Sequence, residues 1–387
     1  MPQQRNFLFG RASMTLGAIL LSATAASSSS ATDFVVTNLV SDGSVPAPTV
    51  DAALVNPWGI ATSPTSPFWV ANNGSGTSTL YNGAGTKLPL TVTIPPPSNP
   101  TGMVFNGNGG FLVGDGSKSG PSVFLFANEG GTIAGWAPSV TTAQAFQGFD
   151  GTSLGGGGAI YKGLAIGTSG GASYLYASDF SNGLVDQLDS NFNLVRAFTD
   201  PTVKAGYAPF GAQVLNNQLF VTYALQDADK EDDVAGAGNG YVDIFSLDGT
   251  LIRQLVAQGG EIDSPWGLAI APSSFGSFAG DLLVGNFGDG TISAFDLTTG
   301  AFEGRLTDTN GNPLVLGDLW GLINGNGGNG GDTDKIYFTA AVEDEAHGLF
   351  GSIRAVPEPA TWGMILLGFG AIGGAMRKRR RTTISFS

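Results

Sequence analysis

Short apolar runs alternate with turn-forming residues along most of the chain, and the runs recur in a repeated order. Six related phrases each place a glycine near the start of an apolar run, roughly every fifty residues. These glycines are Gly59, Gly102, Gly163, Gly211, Gly267 and Gly321. Each phrase is followed by further short runs of β-branched and aromatic residues, bounded by Gly, Asn, Asp and Pro. This pattern predicts strands, with several strands in each repeat.

Six repeats of about four strands favour an all-β fold, a six-bladed β-propeller, in which each repeat forms one sheet of a ring. The repeated glycine fits the innermost strand, where the sheets converge and side chains have least room. Trp58, Trp266 and Trp320 precede three of these glycines, and we expect them to pack between neighbouring blades. The alternative architecture is a β-helix, whose repeats are about half as long or shorter.

The two ends of the repeated region suggest how the ring closes. The last repeat has strand candidates at residues 320–323, 336–339 and 348–354, and a proline then ends the pattern. Residues 34–39 precede the first phrase much as residues 302–306 precede the last. We therefore expect this N-terminal strand to complete the sixth blade, which would remove the exposed edges of an open stack.

Residues 1–31 have the pattern of a secretory signal peptide. Arg5 and Arg11 give a positive start, an apolar stretch follows, and residues 23–25 form an Ala-Thr-Ala cleavage sequence. A short membrane anchor is the alternative, although the apolar run is short for a membrane span. We expect a signal helix here and a folded body over residues 32–355.

Residues 356–387 combine three features in a fixed order. A Pro-Glu-Pro motif leads into an uncharged stretch over residues 360–376, and five consecutive basic residues follow. The stretch is at the short limit for a spanning helix, and the basic cluster would hold that end on the cytoplasmic side. The motif and cluster residues are Pro357, Glu358, Pro359, Arg377, Lys378, Arg379, Arg380 and Arg381.

These C-terminal residues closely resemble the PEP-CTERM sorting signal of Gram-negative bacteria, with residues 382–387 as an additional tail. The resemblance implies export through the secretion machinery, transient inner-membrane anchoring by the C-terminal transmembrane helix, and processing by an exosortase. It further implies a final place in the periplasm, on the outer surface or in the extracellular matrix, with exopolysaccharide as a partner. A plain C-terminal anchor is the alternative.

The body resembles an uncharacterised family of exported bacterial propeller proteins. The resemblance rests on residues 55–61, 223–240, 264–269 and 347–353. More distantly, the predicted architecture is similar to that of NHL-type and lactonase-type propellers. The resemblance supports the fold and brings no assigned activity.

The amino-acid composition excludes several kinds of catalytic and metal site. The 387 residues include no cysteine and one histidine, His347, so disulfides, thiol nucleophiles and Cys/His zinc sites are excluded. The formal charge is −14. The two ends hold seven of the 17 basic residues and one of the 31 acidic residues, so the body between them carries −20. An acidic body disfavours nucleic acid and favours cations.

Oxygen-bearing side chains follow the predicted second strands of four repeats. They are Asn72, Asp115, Asp179 and Asn286. In a propeller these positions lie near the central channel, and Ca²⁺ prefers such ligands. Lactonase-type propellers hold a central Ca²⁺ with a comparable set, so the resemblance implies Ca²⁺ as a cofactor. Ordinary turn chemistry, which also favours Asn and Asp, is the alternative.

An acidic insertion in the fourth repeat is a second candidate for Ca²⁺. Its acids include Asp227, Asp229, Asp232 and Asp233. The EF-hand pattern fails, because its glycine and its final glutamate are missing. A solvated acidic loop is the alternative.

His347 is the one candidate for general-base catalysis, and neighbouring carboxylates would favour its protonated form. A hydrogen-bonded loop histidine is the alternative. The glycine-rich stretches at residues 155–158 and 325–331 lack the context of a phosphate loop, and we expect flexible connectors there.

The sequence thus predicts an exported envelope or matrix propeller that is a non-catalytic binding module for saccharide or protein ligands. The alternative is a Ca²⁺-dependent, lactonase-like hydrolase with its site at the central channel. A purely structural surface protein is the third hypothesis.

Overall fold

The computed structural model describes residues 32–356, which form six β-sheets arranged as the blades of a propeller. The predicted signal helix and the predicted sorting helix fall outside these residues. Within residues 32–356, no helix has the length and apolar character needed to cross a membrane. The all-β, six-bladed prediction is confirmed.

The strands follow one another blade by blade. The N-terminal segment holds β1 (Phe34–Ser41) and β2 (Thr49–Val50), and blade 1 holds β3 (Pro57–Ala61), β4 (Phe68–Asn72), β5 (Thr77–Tyr81) and β6 (Lys87–Thr93). Blade 2 begins with β7 (Pro100–Phe105), is interrupted by a hairpin of β8 (Leu112–Gly114) and β9 (Ser119–Pro121), and continues with β10 (Phe124–Asn128), β11 (Thr132–Trp136) and β12 (Phe146–Asp150). Blade 3 holds β13 (Tyr161–Ser169), β14 (Ala172–Asp179), β15 (Leu184–Asp189) and β16 (Leu194–Phe198).

The remaining blades repeat this order. Blade 4 holds β17 (Tyr207–Leu215), β18 (Gln218–Leu225), β19 (Tyr241–Phe245) and β20 (Leu251–Val256), and blade 5 holds β21 (Pro265–Ile270), β22 (Leu282–Asn286), β23 (Ile292–Phe295) and β24 (Phe302–Arg305). Blade 6 holds β25 (Asp318–Asn324), β26 (Ile336–Val342) and β27 (His347–Ala355). Two short 3₁₀ helices cover Leu154–Gly156 and Gly276–Phe278.

The N-terminal strand closes the ring, as predicted. β1 pairs antiparallel with β27, from Phe34 opposite Ala355 to Ser41 opposite Leu349. Phe34 is 1% exposed, and its ring lies 4.9 Å from that of Phe275 in blade 5. The closure therefore pairs the backbone of β27 and also buries an aromatic side chain between blades.

The six repeated glycines mark the places where inner strands meet. A methyl group on Gly102 would overlap the backbone of Leu164 in the next blade, and one on Gly211 would overlap the backbone of Trp266. Gly59, Gly163, Gly267 and Gly321 have the same kind of neighbour. Glycine is needed here because the backbones of adjacent inner strands are in direct contact.

One strand assignment from the sequence is wrong. The sequence analysis places Asp115 directly after the second strand of its repeat, which makes residues 111–114 that strand, but β7 pairs with β10, and β8 pairs with β9. All five residues of β10 are buried, whereas Leu112 in β8 is 60% exposed. The buried run β10 therefore takes the place in the blade, and residues 112–114 form part of a peripheral hairpin.

Candidate functional site

Aromatic side chains close the central channel at the end where the inner strands begin. The rings of Trp58 and Trp320 stack with centroids 3.5 Å apart, and Trp266 meets them edge-on at 6.3 and 5.7 Å. Phe210 packs against Trp320 from blade 4. We call these four residues the aromatic plug. The tryptophans thus meet each other on the channel axis, whereas the sequence analysis placed them between pairs of blades.

The channel beneath the plug has little free space. The cavity bounded by four of the repeated glycines and Trp266 measures about 20 Å³, which is room for roughly one water molecule. At the opposite end the channel widens to about 180 Å³ between mostly apolar side chains such as Met103 and Phe105. A substrate therefore has no room within the channel beside the plug.

Lys162 takes the position in blade 3 that Trp58 takes in blade 1. Its Nζ lies 2.6 Å from Glu129 Oε1, 2.9 Å from Asp232 Oδ1 and 5.1 Å from the centre of the Trp58 ring. The side chain is 2% exposed. Burial opposes its charge, but the attraction of both carboxylates outweighs burial and holds the pKa of Lys162 above its ordinary value. Lys162 is therefore a fixed ammonium ion and a poor nucleophile.

Two different loops deliver the carboxylates to this lysine. Glu129 follows β10, and its second oxygen accepts a hydrogen bond of 2.9 Å from the side chain of Asn73. Asp232 comes from the insertion between β18 and β19, where the Asp227 amide donates to the Asp232 carbonyl at 2.9 Å. The acidic insertion thus reaches the channel end and contributes a carboxylate that is 74% exposed.

A third carboxylate reaches the same end from blade 6. Glu345 accepts a hydrogen bond from the Asn56 side chain, whose oxygen accepts a bond of 3.1 Å from Trp320 Nε1. Burial raises the pKa of Glu345 to about 7, against the Asn56 hydrogen bond, and the charges of Glu129 and Asp232 add to the rise. Glu345 therefore titrates near neutral pH.

The loop that carries Glu345 has a strained backbone. Glu343, Asp344 and Glu345 have φ values of 56°, 51° and 65°. Three consecutive non-glycine residues in the left-handed region are uncommon, and such strain concentrates at functional sites. The strain thus marks the same end of the channel as the buried lysine.

The channel mouth is the surface formed by Glu129, Lys162, Asp232, Asp233 and Glu345. Burial raises the pKa of Asp233 to about 6, and one of its carboxylate oxygens is buried without a hydrogen-bond partner among the described residues. The mouth has more carboxylates than cations. It can therefore bind a ligand through amino, guanidinium or hydroxyl groups.

Three of the four residues predicted around the channel occupy equivalent places. Asn72, Asp179 and Asn286 end the second strands of blades 1, 3 and 5, and all are buried. Asn72 donates to Thr77 and Thr79 at 3.1 and 3.0 Å, and Asn286 donates to Thr291 at 3.0 Å. Asp179 accepts from Ser181 and Asn182 in the following turn. Each side chain stabilises its own hairpin, which is the turn chemistry noted as the alternative.

Asp115 does not share this position, because it lies in the β8–β9 hairpin. Hydrogen bonds from Lys118 and Ser117 lower the pKa of its exposed carboxyl to about 2. The equivalent position in blade 2 belongs to Asn128, which donates to Thr132 at 3.2 Å. No group of three or more acidic or histidine side chains within residues 32–356 is arranged to hold a metal ion. The Ca²⁺ site itself stays a prediction.

The other predicted site residues lie in loops. Asp227 accepts a hydrogen bond from the Glu231 amide at 3.0 Å within the insertion, where Asp229 is exposed. His347 Nδ1 lies 2.6 Å from Asp42 Oδ2, and this hydrogen bond, with the Asp42 and Glu343 charges, raises the pKa of His347. His347 thereby ties β27 to the segment after β1, and its catalytic role stays a prediction.

Sequence reasoning missed Glu129, Lys162 and Glu345. The sequence does indicate that Lys162 is unusual, because it is a charged residue at a repeat position that holds Trp, Thr or Phe in the other blades. The sequence gives no such indication for the two glutamates, since each lies in a loop between strands and reaches the channel mouth through the packing of different blades.

Comparisons with known proteins support the predicted sorting signal. Residues 355–381 match the PEP-CTERM protein-sorting motif, which marks an exported protein processed by an exosortase. Among solved structures, a streptogramin B lyase is 10% identical with a TM-score of 0.47, covering 84% of this chain and 98% of the lyase. PQQ-bound aldose sugar dehydrogenase from Streptomyces coelicolor is 13% identical with a TM-score of 0.46, covering 84% and 99%.

Two proteins of Acanthamoeba polyphaga mimivirus are similar over most of their length. Uncharacterized protein R648 is 33% identical over 333 residues, which covers 83% of this chain and 80% of R648. Uncharacterized protein L690 is 32% identical over 330 residues, which covers 82% and 85%. The chain belongs to the protein family that includes mimivirus R648 and L690, and it carries a PEP-CTERM sorting motif at its C-terminus.

Proposed function

We propose that this protein is a non-catalytic binding module of the cell envelope or extracellular matrix, which takes a saccharide or protein ligand at the channel mouth. Its sorting motif directs it to the exosortase system. Export would bring the propeller into contact with surface polysaccharides and with other exported proteins.

The observation that carries the proposal is the aromatic plug. A hydrolase with its site beside the plug needs room there for a substrate, yet Trp58 and Trp320 stack across the axis and the cavity directly below them measures about 20 Å³. Lys162, the one buried cation at this end among residues 32–356, is held protonated by Glu129 and Asp232. Binding on the surface of the mouth needs neither an open channel nor a free base.

The charge of the mouth supports a particular ligand chemistry. Asp232 is 74% exposed and Glu129 is 27% exposed, so both can contact a ligand while they hold Lys162. A basic protein segment would find carboxylates, and a sugar would find acceptors for its hydroxyl groups.

The test is a screen of the full-length protein against glycan and peptide arrays, followed by affinity measurements on the hit. We expect Asp232→Asn and Glu345→Gln each to weaken binding by about tenfold, the loss of one charge-assisted contact. Asp229→Asn is the matched control, because Asp229 is exposed in the same insertion, and it should bind as the wild type does.

The same preparation separates this proposal from the lactonase-like alternative. Metal analysis and a panel of lactones and esters would be run in parallel. Bound Ca²⁺ with turnover that is lost in Asp179→Ala would contradict a non-catalytic role and support the hydrolase.

A further inference from the structure

A second concave surface lies at the opposite face of the ring, where blade 6 meets blade 1. It is a cleft of about 440 Å³, within the range of small-ligand sites. Its walls are the turn after β5, the loop between β25 and β26, and the C-terminal half of β27. We call it the seam cleft, because it lies where β1 closes the ring.

The glycine-rich wall of the seam cleft is held in place by many hydrogen bonds. The side-chain NH₂ of Asn326 donates to the backbone carbonyls of Ser63 and Ser66 in blade 1 at 2.9 and 2.8 Å. The side-chain oxygen of Asn326 accepts from the backbone amides of Gly328 and Gly330 at 2.9 Å. The sequence analysis expected a flexible connector over residues 325–331. The loop is instead a fixed bridge between two blades, so the cleft is formed before any ligand arrives.

A second set of contacts joins the two walls. The Gly83 amide donates to the Asn329 carbonyl at 2.9 Å, and the Asp332 amide donates to Tyr337 Oη at 3.1 Å. Gly331 has a φ of 79°, and a side chain there would overlap the Tyr337 hydroxyl. Glycine at this position thus keeps the loop close to the blade and leaves the cleft open beside it.

The chemistry of the lining suits a sugar. Asn329 offers an exposed side-chain amide, and Asn82 offers its NH₂ group, because the Asn82 oxygen accepts from the backbone amides of Ala84 and Thr86. Asp332 accepts hydrogen bonds while paired with Lys335 at 2.7 Å. Donors and acceptors so intermixed match the hydroxyl groups of a saccharide, each of which both donates and accepts.

Arg354 favours a ligand that carries a negative charge. It lines the cleft from β27, its side chain is exposed, and no carboxylate within residues 32–356 lies at ion-pair distance from it. A guanidinium binds a carboxylate through two parallel hydrogen bonds. Lys335 is already paired with Asp332, so Arg354 is the cation that remains to bind an anionic group.

We propose that the seam cleft binds an acidic saccharide, a sugar unit that carries a carboxylate. Arg354 takes the carboxylate, and Asn82, Asn329 and Asp332 take the hydroxyl groups. This site is separate from the channel mouth, so the proposal extends the binding function and does not depend on the ligand proposed there.

The experiment is isothermal titration of the full-length protein with uronic-acid oligosaccharides, namely oligogalacturonate, oligomannuronate and oligoglucuronate. The matched ligand control is the methyl ester of the same oligosaccharide, which keeps the hydroxyl groups and loses the charge. We expect at least one acid form to bind, and its methyl ester to bind about tenfold more weakly or not at all.

The variants locate the site. Arg354→Ala should reduce affinity by about tenfold and Asn329→Ala by a few-fold, with thermal unfolding used to verify that both fold. Arg196→Ala, which removes an exposed arginine in blade 3, should leave affinity unchanged. Asp232→Asn tests the channel mouth as the alternative site for the same ligand.

Four results would overturn the proposal: no binding by any of the three acids, equal binding of acid and ester, affinity unaffected by both Arg354→Ala and Asn329→Ala, or loss of uronate binding in Asp232→Asn. Uronate binding that is lost in Asp232→Asn would move the ligand to the channel mouth. The seam cleft would then be rejected while the function proposed for the mouth would stand.

Discussion

At the scale of single residues, Lys162 organises the channel mouth. It is almost fully buried, and its charge is compensated by two carboxylates of very different exposure, 27% for Glu129 and 74% for Asp232. A buried cation destabilises the fold when it loses a partner that water cannot replace. The less exposed glutamate should therefore matter more for stability than the more exposed aspartate.

We expect Glu129→Gln to lower the free energy of unfolding by about 1–3 kcal/mol and Asp232→Asn by less than about 1 kcal/mol. Urea denaturation of the two variants measures the difference. Equal losses would mean that Lys162 is stabilised no more by the less exposed carboxylate than by the more exposed one.

A second prediction concerns Asp243, a buried carboxyl in β19. Burial raises its pKa to about 8, and the neighbouring charge of Asp200 contributes to the rise. The folded protein therefore keeps a proton that the unfolded chain releases above its ordinary pKa of 3.8. Stability from this group should fall as pH rises from about 4 to about 8 and then level off.

The variant Asp243→Asn removes the titrating group and keeps the shape of the side chain. Thermal unfolding from pH 5 to pH 8 should show a smaller decline for the variant than for the wild type, and the variant should be the more stable at pH 8. Parallel curves for the two proteins would contradict a raised pKa.

At the scale of elements, strand patterns predicted the blades where each repeat had one strong apolar run per strand. The closing strand β1 was predicted in this way, and its pairing with β27 is observed. The prediction failed for blade 2, because residues 111–114 and β10 both resemble a second strand. Burial in the assembled ring decides which of the two runs takes that place. A local sequence pattern does not show which of two similar runs is the more deeply buried in the folded ring.

Closure by β1 should contribute strongly to stability. Phe34→Ala removes a ring that packs between Phe275 and Phe278, and we expect a loss of about 3–5 kcal/mol in the free energy of unfolding. Thr37→Ala on the same strand is the control, since Thr37 is exposed and should change stability little. Similar values for the two variants would show that the closing strand is not packed as described.

The inner glycines provide a test of how tightly the blades converge. Gly102→Ala places a methyl group against the Leu164 backbone, and overpacking of this kind should cost about 1–3 kcal/mol or more. Gly260→Ala is the matched control, because nothing lies within 4 Å of the added methyl group. The denaturation midpoint should fall for Gly102→Ala alone, and an unchanged midpoint would argue against direct contact of the inner strands.

At the scale of the whole molecule, the ring explains why the site was harder to predict than the fold. The repeats and the sorting motif are local patterns, and both were recognisable in the sequence. The channel mouth joins Glu129 of blade 2, Lys162 of blade 3, Asp232 of blade 4 and Glu345 of blade 6. These residues come from four different blades, so no spacing along the chain predicts that they are neighbours.

This exported propeller is proposed to bind its ligand on the mouth of a plugged channel. An experimental structure of the full-length protein, with Ca²⁺ and the ligand selected on the arrays, tests it most directly. We predict ligand density against Asp232, Glu129 or Glu345, with Trp58 and Trp320 still stacked. Ligand inside an opened channel, or Ca²⁺ bound beside Asp179 within it, would contradict the claim.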